Sequence, residues 1–143
     1  MGNVWEFLVN GQVPVIQAWM ATEQFSDAER AKMDHSMDRL KTLGPNLLGA
    51  KIATYSAGNG TRLYRLRIRS SGRNLAAFLC DGPLSPMSEL TILQGEVMSA
   101  GDVISEGCES QFTARRADLL AHPEWRREYG AARARENGIR NGR

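Results

Sequence analysis

The sequence is short of cysteine, histidine and long apolar runs, and each shortage excludes a class of protein. Its 143 residues include only two cysteines, Cys80 and Cys108, too few for the disulfide framework of a small secreted domain. The two histidines, His35 and His122, are not paired with other ligands at the close spacing that is usual in zinc sites. We therefore expect no metal and no cofactor.

No apolar run approaches the roughly 20 residues that a membrane-spanning helix needs. The N-terminus also lacks the basic region followed by an apolar stretch that is typical of a signal peptide. Hydrophobic residues make up 42% of the chain and charged residues 24%, which is a globular balance. We expect a cytoplasmic protein with no membrane partner. A single domain over residues 4–130 and a basic, frayed tail over 131–143 are predicted.

Charge is arranged in blocks, although the net charge is only +2. Residues 61–73 hold five arginines and no acid, and residues 74–112 hold six acids and no base. Residues 113–143 hold eight arginines and four acids. Such asymmetry indicates a polyanion site, a charged partner or both. Solvated charged faces are the alternative explanation.

Hydrophobic periodicity predicts the element order β-α-α-β-β-β-β-α. The predicted elements are a strand over 4–9, a helical hairpin over 14–43 with a capping box from Ser26 to Glu29, strands over 50–56, 62–69, 73–80 and 89–94, a helix over 110–121 and a short helix from Pro123. This order indicates an α+β fold: a small antiparallel sheet of about five strands, with the N-terminal helical hairpin on one face and a C-terminal helix. The expected core includes Trp5, Phe7, Trp19, Met37, Leu40, Leu66 and Phe78.

The strand over 62–69 carries the most concentrated functional signal. Tyr64, Leu66 and Ile68 alternate with Arg65, Arg67 and Arg69, so the two sets point to opposite faces. If the helices cover the apolar side, the arginines lie on an open face. There guanidinium groups can hold phosphates, and an aromatic ring can stack on a base. Pairing with the acids of residues 81–109 is the alternative. The residues expected to contact RNA or a protein partner are Arg62, Tyr64, Arg65, Arg69, Arg115 and Arg116.

Several segments resemble the RelE/ParE superfamily of toxin–antitoxin toxins, most closely its HigB-like, phage-associated branch. Leu63 to Ile68 resembles the family's Glu-Leu-Arg strand, with Arg65 at the usual glutamate position. Gly72 to Phe78 resembles the strand that begins with arginine and continues apolar. The other matching segments are Leu40 to Pro45, Leu90 to Gly95, Ser110 to Arg116 and Trp125 to Gly130. Together they cover roughly residues 4–130.

The resemblance implies a RelE-like fold and a toxin of a type II toxin–antitoxin system. Such a toxin is a ribosome-dependent endoribonuclease that cleaves mRNA, inhibits translation and is held by a cognate antitoxin, here expected to be of helix-turn-helix type. The reaction needs no metal, because the RNA's own 2′-hydroxyl attacks the adjacent phosphate. Arg67 and Arg73 match the family's arginine positions. They are the candidate catalytic residues, and we expect them to lie near each other on the open face.

One departure from the family leaves the activity open. The basic segment that usually follows the last strand is here Glu96-Val97-Met98-Ser99, followed by Asp102, Glu106 and Glu109. Negative charge there opposes the binding of phosphate. Either the catalytic groups have moved to Arg115 and Arg116, or the chain does not cleave RNA. The alternatives are a protein of this fold that inhibits gyrase or another host protein by binding, and a phage-encoded interaction protein without toxicity.

Overall fold

A computed structural model describes residues 3–43, 52–56, 62–70, 72–84, 89–98 and 104–130. Over these residues the chain has an α+β fold, which confirms the predicted fold class. The strands are β1 (Asn3–Val9), β2 (Val13–Pro14), β3 (Ile52–Ser56), β4 (Arg62–Ser70), β5 (Arg73–Asp81), β6 (Glu89–Met98) and β7 (Arg126–Glu128). The helices are α1 (Val15–Thr22), α2 (Asp27–Leu43) and α3 (Glu106–Ala121). None of these helices is long and apolar enough to span a membrane. The predicted tail over 131–143 lies outside the described residues.

The strands form a sheet in the order β2-β1-β6-β5-β4-β3, and β7 also pairs with β1. The strands from β3 to β6 follow one another as the predicted antiparallel meander. β1 pairs with β6 in parallel, so the sheet is mixed rather than antiparallel throughout. Parallel neighbours need a long connection, and the two helices together with the meander provide it.

α1 and α2 are the two helices predicted over residues 14–43, and a strand residue caps the first of them. The buried carboxylate of Glu6 on β1 accepts hydrogen bonds from the backbone N–H groups of Ile16 at 2.9 Å and Gln17 at 3.1 Å. A carboxylate in this position satisfies two helix-end donors and interacts favourably with the helix dipole. Arg127 of β7 donates to the other oxygen of Glu6 at 3.2 Å. Glu6 therefore joins β1, α1 and β7.

The predicted capping box opens α2. The Ser26 hydroxyl accepts from the Glu29 backbone N–H at 3.1 Å, and the Glu29 carboxylate accepts from the Ser26 N–H at 2.9 Å. These reciprocal bonds satisfy two backbone donors that the helix leaves unpaired. The same carboxylate also receives bonds from the sheet, as described below.

We call the side of the sheet that packs against α1 and α2 the helical-hairpin face. Its buried strand residues include Leu66, Ile68, Leu75, Ala77 and Leu79. Gly95 lies opposite Ala77 on this face, and a Cβ at Gly95 would stand 2.2 Å from the ring of Trp19. Only glycine therefore lets α1 pack this closely on β6.

Most of the predicted core is confirmed. Phe7, Met37, Leu40, Leu66 and Phe78 are buried, whereas Trp5 and Trp19 are half-buried. Trp5 lies beneath the guanidinium of Arg126, which stands 4.1 Å from the centre of the Trp5 ring. This cation–π contact joins Trp5 of β1 to β7.

The opposite side of the sheet, which we call the α3 face, is partly covered rather than open. α3 begins at Glu106, earlier than the predicted start at Ser110, because the Ser105 hydroxyl accepts from the Cys108 N–H at 3.0 Å and caps it. α3 packs against β6 on this face, and Gln94 of β6 donates to the Cys108 carbonyl at 3.0 Å.

The predicted helix after Pro123 is wrong, because this segment forms β7. β7 runs antiparallel to β1. The carbonyl of Trp125 accepts from the Leu8 N–H, and the Val4 carbonyl accepts from the Tyr129 N–H, both at 2.9 Å. The edge of β1 thus supplies the partners that an isolated helical turn would otherwise find within itself.

Candidate nucleic-acid interface

The register of the meander brings an arginine and a glutamate into one row on the α3 face. Arg67 of β4 pairs with Ala76 of β5, and Ala76 pairs with Glu96 of β6. Residues directly opposite one another point to the same face, so all three side chains share the α3 face. Paired Cα atoms lie about 4.5–5.5 Å apart, which puts the Arg67 and Glu96 backbones about 10 Å apart. Between them Ala76 presents only a methyl group.

A second row lies beside the first. Arg65 pairs with Phe78, and Phe78 pairs with Gln94. Phe78 is completely buried, whereas Arg65 and Arg67 are half-buried. Ala76 is completely buried as well, so the two arginines of β4 lie beside a covered part of the sheet. A half-buried cation is screened less by solvent than an exposed one, so its attraction for phosphate is stronger.

α3 adds a third arginine beside Glu96. Arg115 donates to the Leu93 carbonyl at 3.0 Å, which fixes its side chain against β6. Burial lowers the pKa of Arg115, and the negative charge of Glu96 acts in the opposite direction. The same burial raises the pKa of Glu96 above its ordinary value, with Arg115 opposing the shift and Glu23 adding to it. The row thus holds a carboxyl whose protonated form is favoured more than in water.

The two cysteines also face this side but are poorly suited to nucleophilic chemistry. Burial raises the pKa of the Cys80 thiol to about 12 and that of Cys108 to about 11. Both groups therefore remain thiols near neutral pH, and the thiolate is the reactive form. Beside Cys108, the Oε1 atom of Gln94 is buried and accepts no hydrogen bond from the residues that the structure describes.

Arg73 lies on the other face of the sheet. Its Nε and Nη2 atoms donate to the two oxygens of Glu29, both at 2.9 Å. Its Nη1 atom lies 3.6 Å from Glu23, and its guanidinium stands 5.4 Å from the centre of the Phe25 ring. Bonds from Arg73, then from Ser70 and from the Ser26 backbone, hold the pKa of Glu29 well below its usual range. Arg73 thus ties the start of β5 to the start of α2.

The prediction that Arg67 and Arg73 lie near each other on one face is therefore wrong. Arg73 is two residues before Leu75 on β5, and Leu75 belongs to the helical-hairpin face. Arg67 lies opposite Ala76, which points the other way. Proximity along the chain misled the prediction: Arg73 pairs with Ser70 across the turn, so it shares the face of Ser70 and not that of Arg67.

Tyr64 and Arg116, which are also predicted to contact RNA or a partner, lie on different sides of the sheet. Tyr64 is 2% exposed on the helical-hairpin face, and its hydroxyl donates to Asp81 at 3.2 Å, so its ring is not available to stack on a base. Arg116 is half-buried on α3, and its charge lowers the pKa of Cys80 against the larger effect of burial. The side chains of Arg62 and Arg69 lie outside the described residues.

Glu96 is the residue of this surface that sequence reasoning placed incorrectly. The predicted strand ends at residue 94, which leaves Glu96 in the acidic segment after the strand, where negative charge is expected to repel phosphate. β6 in fact continues to Met98, and Glu96 is paired within the sheet. The available signal was the alternation of Gln94, Glu96 and Met98 with Gly95 and Val97, which extends the period of two beyond the apolar run.

No group of three or more histidine, cysteine, aspartate or glutamate side chains in the described part of the chain could hold a metal ion. Comparisons with protein-family models, with curated proteins and with solved structures find no match to this chain. The geometry of the α3 face therefore carries the functional argument.

Proposed function

We propose that this chain is a cytoplasmic RelE-type toxin that cleaves mRNA on the ribosome and is neutralised by a cognate helix-turn-helix antitoxin. The sequence resemblance to RelE/ParE toxins and an element order in keeping with it support the proposal. The observation that carries it is the gathering of Arg65 and Arg67 of β4 with Arg115 of α3 on one half-buried face. Three guanidinium groups on one face suit an RNA backbone better than a small neutral ligand.

The role of these arginines in the proposed reaction is to stabilise negative charge on the phosphate. When the RNA 2′-hydroxyl attacks the adjacent phosphate, the phosphorane gains a second negative charge. Guanidinium groups that are already in place stabilise that charge without reorganising, which is usually the largest contribution to such a reaction.

A second candidate is inhibition by binding, with gyrase or another host protein as the target. The position of Arg73 favours it, because that side chain is occupied by Glu29 and Glu23. One of the two arginines that the resemblance assigns to phosphate is then committed to the fold. A protein-binding surface does not need that second arginine.

A translation extract programmed with a defined mRNA separates the two functions. Primer extension should reveal new 5′ ends that appear only when ribosomes and the wild-type chain are both present. Arg67→Ala should reduce cleavage at least about 100-fold, in line with the loss of a preorganised charge-stabilising group. Arg39→Ala on α2 removes the same charge elsewhere and should leave cleavage unchanged. Inhibited growth with intact mRNA would refute the nuclease, and a supercoiling assay would then test gyrase.

A further inference from the structure

We infer that the outer edge of β3 is a docking site for an extended acidic segment of a partner protein, which adds to the sheet as a further strand. The inference goes beyond the proposed function, because a strand can add to this edge whether or not the chain cleaves RNA. Its starting observation is the strand order β2-β1-β6-β5-β4-β3. β3 is the last strand of this order, and it pairs with β4 alone among the residues that the structure describes.

The two edges of the sheet differ in how they are covered. β2 pairs with Leu8 and Val9 of β1, and β7 pairs with residues 5–7, so the chain covers the β1 edge with its own strands. The sequence of β3, Ile-Ala-Thr-Tyr-Ser, contains no charged residue and no proline. Charged residues and proline are common means by which an edge strand avoids pairing. The backbone N–H and C=O groups on the outer side of β3 therefore form a template for another strand.

The hairpin at this edge carries charge of one sign. Residues 51–70, which include β3 and β4, contain five basic residues and no acidic one. The five are Lys51, Arg62, Arg65, Arg67 and Arg69. Positive charge at the edge attracts an acidic segment. It also opposes pairing between two copies of this chain, because the same charges would then face each other.

The register of β3 indicates where the acidic side chains of the added strand would lie. Ala53 pairs with Arg65, and Arg65 lies on the α3 face. A residue that pairs with Ala53 from the outer side shares this row, and its Cα atom lies about 10 Å from that of Arg65. The side chains of a glutamate and an arginine together span that distance. Acidic residues at alternate positions of the added strand, all on the α3 face, therefore match this edge.

A peptide fits this edge better than a nucleic acid does. The outer side of an edge strand presents N–H donors and C=O acceptors in alternation, and a peptide backbone offers the complementary groups. The phosphate oxygens of RNA would bind the N–H groups but would also approach the C=O groups, which repel them. The positive charge attracts both polymers, whereas the backbone edge favours the peptide.

The test uses the full chain and synthetic peptides of about seven residues, measured by fluorescence anisotropy. In the parent peptide, glutamate alternates with valine. One control replaces each glutamate with glutamine, and the other keeps the glutamates but has N-methyl groups on its backbone amides. The parent should bind at least about tenfold more tightly than either control at low salt, because one control lacks the charge and the other lacks the N–H groups.

Hydrogen exchange and two variants locate the binding site. Binding of the parent peptide should slow amide exchange at residues 52–56. Ala53→Pro and Thr54→Pro are matched variants, because neighbouring N–H groups of a strand point to opposite sides. The variant that loses an outward N–H should melt like wild type and bind the parent peptide at least about tenfold more weakly, since proline is tolerated at an edge. Arg39→Ala on α2 removes a charge elsewhere and should bind within about threefold of wild type.

Four results would overturn the docking site. They are a parent peptide that does not bind at millimolar concentration, an N-methylated peptide that binds as tightly as the parent, unchanged exchange at residues 52–56, and a proline variant of wild-type stability in each case with wild-type binding. Protection of residues 52–56 by dimerisation of the chain alone would assign the edge to a second copy instead. Protection by a uridine oligonucleotide but not by the peptide would assign it to RNA. None of these measurements depends on mRNA cleavage, so the proposed function can fail while the docking site stands.

Discussion

The two faces of the sheet each hold an arginine and a glutamate, but the pairs are built differently. On the helical-hairpin face, Arg73 and Glu29 meet through two hydrogen bonds of 2.9 Å. On the α3 face, Arg67 and Glu96 share a row with Ala76 between their strands. Hydrogen bonds lower the pKa of Glu29, whereas burial raises that of Glu96. The first arrangement ties β5 to α2, whereas the second places an arginine and a glutamate on two strands of the α3 face.

The difference shows that residue type and spacing do not assign a role on a strand. Arg67 and Arg73 belong to the same arginine-rich segment, yet strand phase sends one to a helix cap and the other to the opposite surface. A carboxylate that accepts several bonds is held ionised, whereas a desolvated one retains a proton more easily.

Leu66→Ala should cost about 2–5 kcal/mol of unfolding free energy, because a fully buried leucine is replaced by a cavity on the helical-hairpin face. Urea denaturation followed by tryptophan fluorescence measures the change. A loss below about 1 kcal/mol would mean that the phase of β4 is inverted. The two faces of β4 would then be exchanged, because Arg65 and Arg67 would point toward the helices.

Glu29→Gln should destabilise the chain by roughly 1–2 kcal/mol, through loss of charge-assisted bonds to Arg73 and a weaker cap on α2. Chemical denaturation again provides the value, with Glu128→Gln as an exposed control that should change it by less than about 0.5 kcal/mol. Equal values for the two variants would show that the Arg73–Glu29 pair does not hold the fold.

Glu29 also makes the free energy of unfolding depend on pH in the acidic range. Its pKa is lower in the folded chain than its ordinary value of 4.5, so the unfolded chain binds more protons as the pH falls below that value. The stability that Glu29 contributes is complete above 4.5 and is lost as the pH falls toward the folded pKa. Thermal melts between about pH 3 and pH 6 should show this loss, and Glu29→Gln should reduce it. An unchanged slope in the variant would contradict the assignment.

Glu96 should produce a smaller effect of opposite sign. Its folded pKa lies above 4.5, so the folded chain binds more protons, and stability declines as the pH rises from 4.5 through the folded pKa. Because the group is only half-buried, we expect no more than about 0.5 kcal/mol. Glu96→Gln should flatten the decline in melts above about pH 5. A steeper decline in the variant would show that Glu96 is stabilised as an ion instead.

The parts of the fold that depend on local pattern could be predicted from the sequence. The capping box, the helical hairpin and the meander each follow from periodicity within one segment. The parallel pairing of β1 with β6 and the strand β7 could not, because both depend on edges supplied by distant residues. Local sequence preferences determine whether a segment is a helix or a strand only where no distant strand edge offers it hydrogen-bond partners.

The candidate site was predictable only in part, for the same reason. Alternation along β4 indicated which arginines share a face, but the partner of Arg73 is 44 residues away on α2. Glu96 was misplaced because Gly95 breaks the apolar run, although that glycine is present to admit Trp19 rather than to end the strand. In the sequence, a glycine that is required by a contact with a distant helix looks like a residue that ends a strand.

The most direct test compares Arg67→Ala with Arg73→Ala in the ribosome-dependent cleavage assay, with rates normalised to the folded fraction of each variant. Both substitutions remove one guanidinium from the same segment of the chain. We predict that Arg67→Ala, per folded molecule, loses at least about 100-fold in cleavage. Arg73→Ala should melt at a lower temperature and cleave, per folded molecule, within about threefold of wild type. The reverse pattern, with cleavage lost only in Arg73→Ala, would contradict the assignment of RNA to the α3 face.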